Sequence, residues 1–461
     1  MNIVFDRELI EKCQANVPRY TSYPTADRFN LSYSLPIHLQ QVTDWFKLEY
    51  IDQQLISLYI HIPFCNTLCL YCGCNKIITN DRSNIAVYLS YLEKEIELYA
   101  KLIDKKLPVV QLHFGGGSPS WMSITEVNQI MQVINKYFDL STAQEIAMEI
   151  DPRHTNPEFI LGLKDNGFNR ISLGLQDFEY KVQKAVNRVQ SFESSQAILI
   201  TAKQAGFGST NVDLIYGLPL QTLDSFTQTI ETVLKLAPDR IALFNYAHIP
   251  SIFMPQTRIK ESDLPSPQVK LDILQMSVAK LSKFGYKFIG MDHFALPDDE
   301  LSIALNNGTL QRNFQGYSTF ADTNMLSFGV SSIGFTGSGY YQNVKDLPSY
   351  YSHLDKGLLP VMRGVILNED DLIRKCIISQ IMCQYYLNYA DIEQKFNLNF
   401  SDYFTVELSK LDGLCALGLI FFTPFGFEVS NSGRFLIRNI AAVFDKYLQL
   451  NQDNKRYSKV I

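Results

Sequence analysis

The chain reads as an α/β protein: a partial β/α barrel preceded by an N-terminal strap and followed by a mainly helical, winged-helix-like C-terminal domain. Three observations predict this. From Leu55 to Met291 short apolar strands alternate with helical stretches, the pattern of βα units and a parallel sheet. Polar and glycine-rich motifs recur where those strands end, the rim on which such folds place their chemistry. After about residue 366 the alternation stops and helices with one hairpin take over. The expected division is 1–50 for strap and leading helix, 51–365 for the barrel and 366–461 for the C-terminal domain.

Taken in order, Pro18 to Ala26 packs hydroxyls, two tyrosines and Arg19 between prolines, which by composition is an extended surface strap. Leu35 to Leu48 has the spacing of an amphipathic helix. Leu55 to Ile62 is the first strand, and Ser83 to Ile103 a helix with apolar residues at helical spacing. Strands follow at Val109–Phe114, Glu145–Ile150, Arg170–Leu175, Asn211–Tyr216, Arg240–Tyr246 and Tyr286–Met291, about seven in all. Ser123 and Glu126 form a capping box, and Asn156-Pro157 opens a helix that Gly167 closes. Asn368 to Asp371 caps a helix to about Leu387; a hairpin over Leu419–Val429 and a last helix through Leu450 complete the chain.

Composition limits the function. The 461 residues are 46% hydrophobic and 19% charged, ordinary for a chain with a real core. A formal net charge of −6 argues against a general nucleic-acid binder. The C-terminal domain, with ten Lys/Arg and eleven Asp/Glu from Glu369 to Ile461, has no basic stripe either, so covering a substrate suits it better than DNA. Asp6, Arg7 and Glu8 stand where a signal peptide needs an apolar core, and the patch Leu417–Phe427 is short and broken by Pro424 and Gly426. No membrane association and a cytoplasmic location are expected. Cys13, Cys376, Cys383 and Cys415 are scattered and read as reduced core residues.

Four of the eight cysteines, Cys65, Cys69, Cys72 and Cys74, lie together just after the first strand. Three thiolates in C-x3-C-x2-C spacing can bind three irons of a cubane cluster that normally takes four, leaving one iron open. Zinc would want four tetrahedral ligands, and Cys72 with Cys74 would make a cramped half of such a site. A disulfide is disfavoured in a chain without an export signal. The second strand runs into Gly115-Gly116-Gly117-Ser118-Pro119, the third into Glu149-Ile150-Asp151, the fourth into Gln176-Asp177 and the fifth into Asp213. Each alone is as well read as a turn or cap; all on one rim they suggest a site.

The cysteine loop, with Tyr71 before its third cysteine, resembles the radical S-adenosylmethionine (SAM) enzymes, in which the open iron takes SAM. The resemblance extends over essentially the whole chain to one family, the oxygen-independent coproporphyrinogen III oxidases (dehydrogenases) of haem biosynthesis. Its matching pieces are Pro18–Ala26, Tyr59–Lys76, Gly115–Pro119, Gly167–Phe178, Asn211–Pro219, Phe244–Pro250, Pro265–Leu274, Gly290–Leu301 and Arg312–Thr319.

The resemblance implies that Cys65, Cys69 and Cys72 hold a [4Fe–4S] cluster and that Tyr59, Gly116, Glu149 and Ile333 contact the SAM on its iron. A second SAM would meet Tyr71, Gly117, Ser118, Gln176, Arg188, Asp213 and Ala247. Tyr71 stands where phenylalanine can occur and Ser118 where threonine can, mild departures that keep ring and hydroxyl. His61 reads as a core histidine or a proton-handling group, and with Tyr59 and Glu149 it is a catalytic candidate. The implied reaction converts two propionates of coproporphyrinogen III to vinyl groups: a 5′-deoxyadenosyl radical takes a β-hydrogen, then carbon dioxide and one electron leave. A reducing donor such as a flavodoxin or ferredoxin and a monomeric state are expected. The rival readings are a haem chaperone, whose resemblance would cover the barrel alone, and a non-enzymatic zinc-binding module.

Overall fold

The computed structural model describes residues 3–47, 55–103, 105–320, 323–449 and 457. The chain forms two compact units that do not follow chain order: Phe29–Ile273 with Asp322–Ile366, and Met1–Arg28 with Leu274–Ala321 and Leu367–Ile461. Composition divides the chain linearly; contact instead places residues 274–321 with the C-terminal helices.

The first unit is built on a ten-stranded sheet. Its strands are β1 (Ile56–Ile62), β2 (Val109–Gly116), β3 (Glu145–Ile150), β4 (Arg170–Gln176), β5 (Ser209–Tyr216), β6 (Arg240–Asn245), β7 (Asn324–Phe328), β8 (Ile333–Thr336), β9 (Gly339–Asn343) and β10 (Val361–Ile366). They lie in the order β10-β9-β8-β7-β1-β2-β3-β4-β5-β6. β7 and β1 to β6 run parallel, and β8, β9 and β10 extend β7 antiparallel. Helices Ser83–Ile103, Ile124–Tyr137, Pro157–Asp165, Phe192–Gln204 and Leu223–Leu236 separate the parallel strands along the chain, as the alternation predicts.

Local chemistry explains these elements. In β1 every residue but Tyr59 is buried, which is why it reads as a continuous apolar run rather than an alternating one. Ser123 and Glu126 cap each other's backbone at the start of Ile124–Tyr137, and Asn156 accepts from Phe159 N to open Pro157–Asp165. Gly167, at φ +86°, turns the chain out of that helix. The leading helix covers Leu35–Phe46; Leu48 lies outside the described residues. The seventh parallel strand is β7, which the sequence reading did not assign. The expected strand at 286–291 is Lys287–Gly290, which pairs antiparallel with His293–Ala295 in the second unit.

In the second unit, helix Glu369–Gln384 starts at the capping box of Asn368 and Asp371. Strand Tyr386–Asn388, three helices between Tyr389 and Ala416, and strands Ile420–Thr423 and Gly426–Val429 follow. The strands pair through the last, close to the winged-helix order read from sequence. Short helices Ile437–Ala442 and Lys446–Gln449 come next, and Leu450 lies outside the described residues.

The strap is not a surface ornament. Tyr20 and Tyr23 are buried; Tyr20 OH donates to Asp445 Oδ2 at 3.1 Å. Arg438 Nε donates to Pro18 O at 2.9 Å, and Lys446 N to Tyr23 OH at 3.2 Å. Arg19 pairs with Asp292. No helix among the described residues is long and apolar enough to cross a membrane.

Candidate functional site

The site is assembled where β1 to β5 end. β1 breaks at Pro63, and the chain turns into the cysteine loop. Gly117 N donates to Ile62 O at 2.8 Å and Ser118 N to Phe64 O at 2.9 Å, so the glycine motif lies directly on the root of that loop. This contact needs glycine. A Cβ on Gly117 would come within 2.7 Å of the Pro63 backbone, and one on Gly116, at φ +114°, within 2.6 Å of the His61 ring. At its far side the loop is tied down by Leu70 N to Val186 O at 3.0 Å and by Asn187 Nδ2 to Leu68 O at 2.8 Å.

The four thiols sit in different surroundings. Cys65 and Cys69 are buried, Cys72 is half-buried and Cys74 exposed. Burial pushes the Cys65 thiol up to about 11, although Ser118 Oγ donates to its sulfur at 3.5 Å. A hydrogen bond with Cys74 pulls Cys72 down to about 6, helped by the Lys76 ammonium. Cys69 faces two guanidiniums: Arg153 Nη2 and Arg188 Nη1 each stand 3.5 Å from its sulfur. Both arginines bind Asp151, Arg153 at 2.6 Å and Arg188 at 3.3 Å. Burial would raise the Asp151 carboxyl, but Arg188 and Arg153 hold it well below the usual range.

Among the described residues no three His, Cys, Asp or Glu side chains converge on a point where they could hold one metal ion. A cluster asks for something else, one thiolate per iron from a loop with room between the ligands. Cys65, Cys69 and Cys72 on a pinned loop, with Ser118 and two arginines directed at their sulfurs, fit that demand better than the tetrahedral convergence of a zinc site.

The candidates for the first SAM come together. Tyr59 OH donates to His61 Nδ1 at 3.1 Å, and His61 Nε2 donates to Asn75 O at 3.1 Å. That tautomer leaves His61 neutral, and burial lowers its pKa. Burial, with Glu149 nearby, keeps the Tyr59 phenol protonated. Gly116 N donates to Glu149 Oε2 at 3.2 Å, and His113 lies 3.5 Å from its other oxygen. Ile333 joins through the sheet: Tyr59 is opposite Ser327, whose hydroxyl donates to Ile333 O at 2.6 Å.

Apart from Gly117 and Ser118, at the root of the cysteine loop, the second set forms two groups. Gln176, at φ +65°, and Arg188 both crowd Gly174, whose carbonyl accepts from Arg188 Nη2 at 2.6 Å. Asp213 is opposite Gly174 in β5 and accepts from Ser172 Oγ at 3.0 Å and Asn211 Nδ2 at 2.8 Å. Burial, reinforced by Glu149, pushes its carboxyl up to about 6. Tyr71 and Ala247 are linked by Gln256, whose Nε2 donates to both carbonyls at 3.2 Å while Ile249 N donates to its Oε1 at 2.6 Å. Arg188 joins its group to the cysteine loop, because it also reaches Cys69.

Sequence reasoning missed Arg153 and Gln256. Arg153 had one readable signal, a cation two residues beyond an acidic strand end. Gln256 had none; it meets Tyr71 across 185 positions.

The Radical SAM superfamily pattern matches residues 59–233. The oxygen-independent coproporphyrinogen III oxidase of Escherichia coli (strain K12) is 45% identical over 459 residues, covering 100% of this chain and 99% of its own. That of Pseudomonas aeruginosa is 44% identical over 461 residues, with the same coverage. A solved coproporphyrinogen III oxidase from Escherichia coli, described as a radical SAM enzyme, superposes with a TM-score of 0.91 over 97% of this chain and 100% of that one. Likeness over both units, at this identity, places the chain in the family of oxygen-independent coproporphyrinogen III oxidases within the radical SAM superfamily.

Proposed function

We infer that this chain is an oxidoreductase of haem biosynthesis that converts two propionate side chains of coproporphyrinogen III to vinyl groups, giving protoporphyrinogen IX. The observation that carries the reading is full-length membership of the family. When bound, the [4Fe–4S] cluster and SAM supply a low-potential electron and a hydrogen-abstracting radical. Each decarboxylation releases carbon dioxide and one further electron as the double bond forms.

The chain's own residues would position and shield that chemistry. Cys65, Cys69 and Cys72 hold the cluster. Tyr59, Gly116, Glu149 and Ile333 line the first SAM site, with Glu149 offering a carboxylate to an ammonium group. His61, neutral and held by Tyr59 and Asn75 O, orients rather than exchanges protons. A second SAM is met by Tyr71, Gly117, Ser118, Gln176, Arg188, Asp213 and Ala247. Two propionates are removed, so two SAM at hand couple two events in one visit of the substrate. Burial holds the Asp213 carboxyl above the usual range, and a cation arriving beside it would favour its charged form. A flavodoxin or ferredoxin as donor, a monomer and a cytoplasmic setting complete the proposal.

Anaerobic turnover of coproporphyrinogen III, followed by product fluorescence after oxidation, tests the reading; an iron–sulfur-loaded protein that binds haem but forms no product would make it a chaperone. Equilibrium binding should find two SAM per chain, falling towards one in Arg188→Ala. Two sites and normal turnover in that variant would return Arg188 to the scaffold.

A further inference from the structure

The three sulfurs assigned to the cluster differ in what faces them. Cys65 receives one hydroxyl and Cys72 a neighbouring thiol and the Lys76 ammonium, whereas Cys69 is flanked by two guanidiniums. These two cations are not free to swing away. Arg153 binds both oxygens of Asp151, with Nε at 3.0 and 3.2 Å and Nη2 at 2.6 Å. Arg188 adds Nη1 to Asp151 Oδ2 at 3.3 Å and Nη2 to Gly174 O at 2.6 Å. The side chains of Asp151, Arg153 and Arg188 are 5%, 9% and 8% exposed, so water screens little of their field. Asp151 is itself held by Ser120 Oγ, which accepts from its N at 2.9 Å. Two cations and one anion leave this buried group with a net positive charge beside one ligand sulfur.

The geometry points to Arg153 as a positioning residue that poises the reduction potential of the cluster through Cys69, with Asp151 as its brace. Reduction adds an electron to an anionic thiolate-ligated cluster, so a fixed cation and an N–H donor at a ligand sulfur favour the reduced form; charge and hydrogen bonds to the sulfurs are established levers on such potentials. Arg188 shares the position but is already assigned to SAM. Arg153 belongs to neither assigned SAM set, and so its effect on the cluster can be isolated. The inference rests on the cluster reading of Cys65, Cys69 and Cys72.

The test is an EPR-monitored redox titration of the reconstituted full chain without SAM, with iron and sulfide counted per chain. Arg153→Gln should keep its cluster and lower the ratio of reduced to oxidised cluster about tenfold at a fixed reductant potential, about 59 mV for a one-electron couple. Arg153→Lys, which keeps the charge, should stay closer to the unsubstituted protein. An unchanged midpoint in both variants overturns the inference. So does loss of cluster loading in Arg153→Gln at unchanged melting temperature, because Arg153 would then build the site and not poise it. Absence of iron and sulfide from the unsubstituted chain would instead overturn the cluster reading.

Discussion

Glu145 and Glu149 lie on the same strand, point to the same face of the sheet and meet opposite fates. Glu145, at the N-terminal end of β3, has a side chain 7% exposed and is saturated: Arg170 Nη1 donates at 2.6 Å and Gln111 Nε2 at 2.9 Å. Burial would raise its carboxyl, but Arg170 and Arg240 turn the shift downward. Glu149, one turn of the pleat from the C-terminal rim, is 44% exposed and, among the described residues, holds Gly116 N and the distant His113. The difference teaches that the two ends of this sheet use charge for different ends. At the bottom Glu145 is spent on the fold; at the top Glu149 is left half-partnered for something that arrives.

The sharpest break of this contrast comes at the top. Cys65→Ala, Cys69→Ala and Cys72→Ala should each abolish the reconstituted cluster, while Cys74→Ala retains it. Iron and acid-labile sulfide per chain measure this, and a clusterless Cys74→Ala protein would require a fourth ligand.

At the bottom, Glu145→Gln should lower stability by about 3 kcal/mol, since it removes the charge that half-buried Arg170 and buried Arg240 face there. Chemical denaturation reads the loss, and turnover per folded molecule should be unchanged. The pH dependence follows from the same pair. The folded carboxyl titrates below its unfolded value of about 4.3, so its contribution is present above that pH and fades as the solution is acidified through the folded pKa. Acid unfolding below about pH 4 should therefore flatten in Glu145→Gln; an identical acid limb in both proteins would remove Glu145 from the bottom network.

Between these lies Gly117→Ala. Its Cβ would press on the Pro63 backbone at 2.7 Å, which cannot yield like a side chain end. A loss of about 2 kcal/mol and weaker SAM binding together are expected, so this position sits on both sides of the contrast. The smallest effect on stability belongs to Glu149→Gln, within about 0.5 kcal/mol as for an open surface site. Its SAM affinity should fall clearly all the same. A destabilisation as large as that of Glu145→Gln would erase the distinction between the two ends.

The sequence alone was enough for the βα alternation, the capping box at Ser123, the helix cap at Asn368, and the loop that carries Cys65, Cys69 and Cys72. All of these are local: hydrophobic period, cap chemistry and ligand spacing act within a few residues. The order of the C-terminal domain was legible for the same reason. What only the tertiary structure decided is long-range. β7 joins β1 across more than 260 positions, and residues 274–321 pack with the C-terminal helices. The strap that composition put on the surface buries Tyr20 and Tyr23. Arg153, Asp151 and Arg188 meet at Cys69, and Gln256 ties Tyr71 to Ala247. Nothing in the local sequence encodes such meetings, because a buried polar group selects its partner by where the folded backbone brings a complementary donor or acceptor.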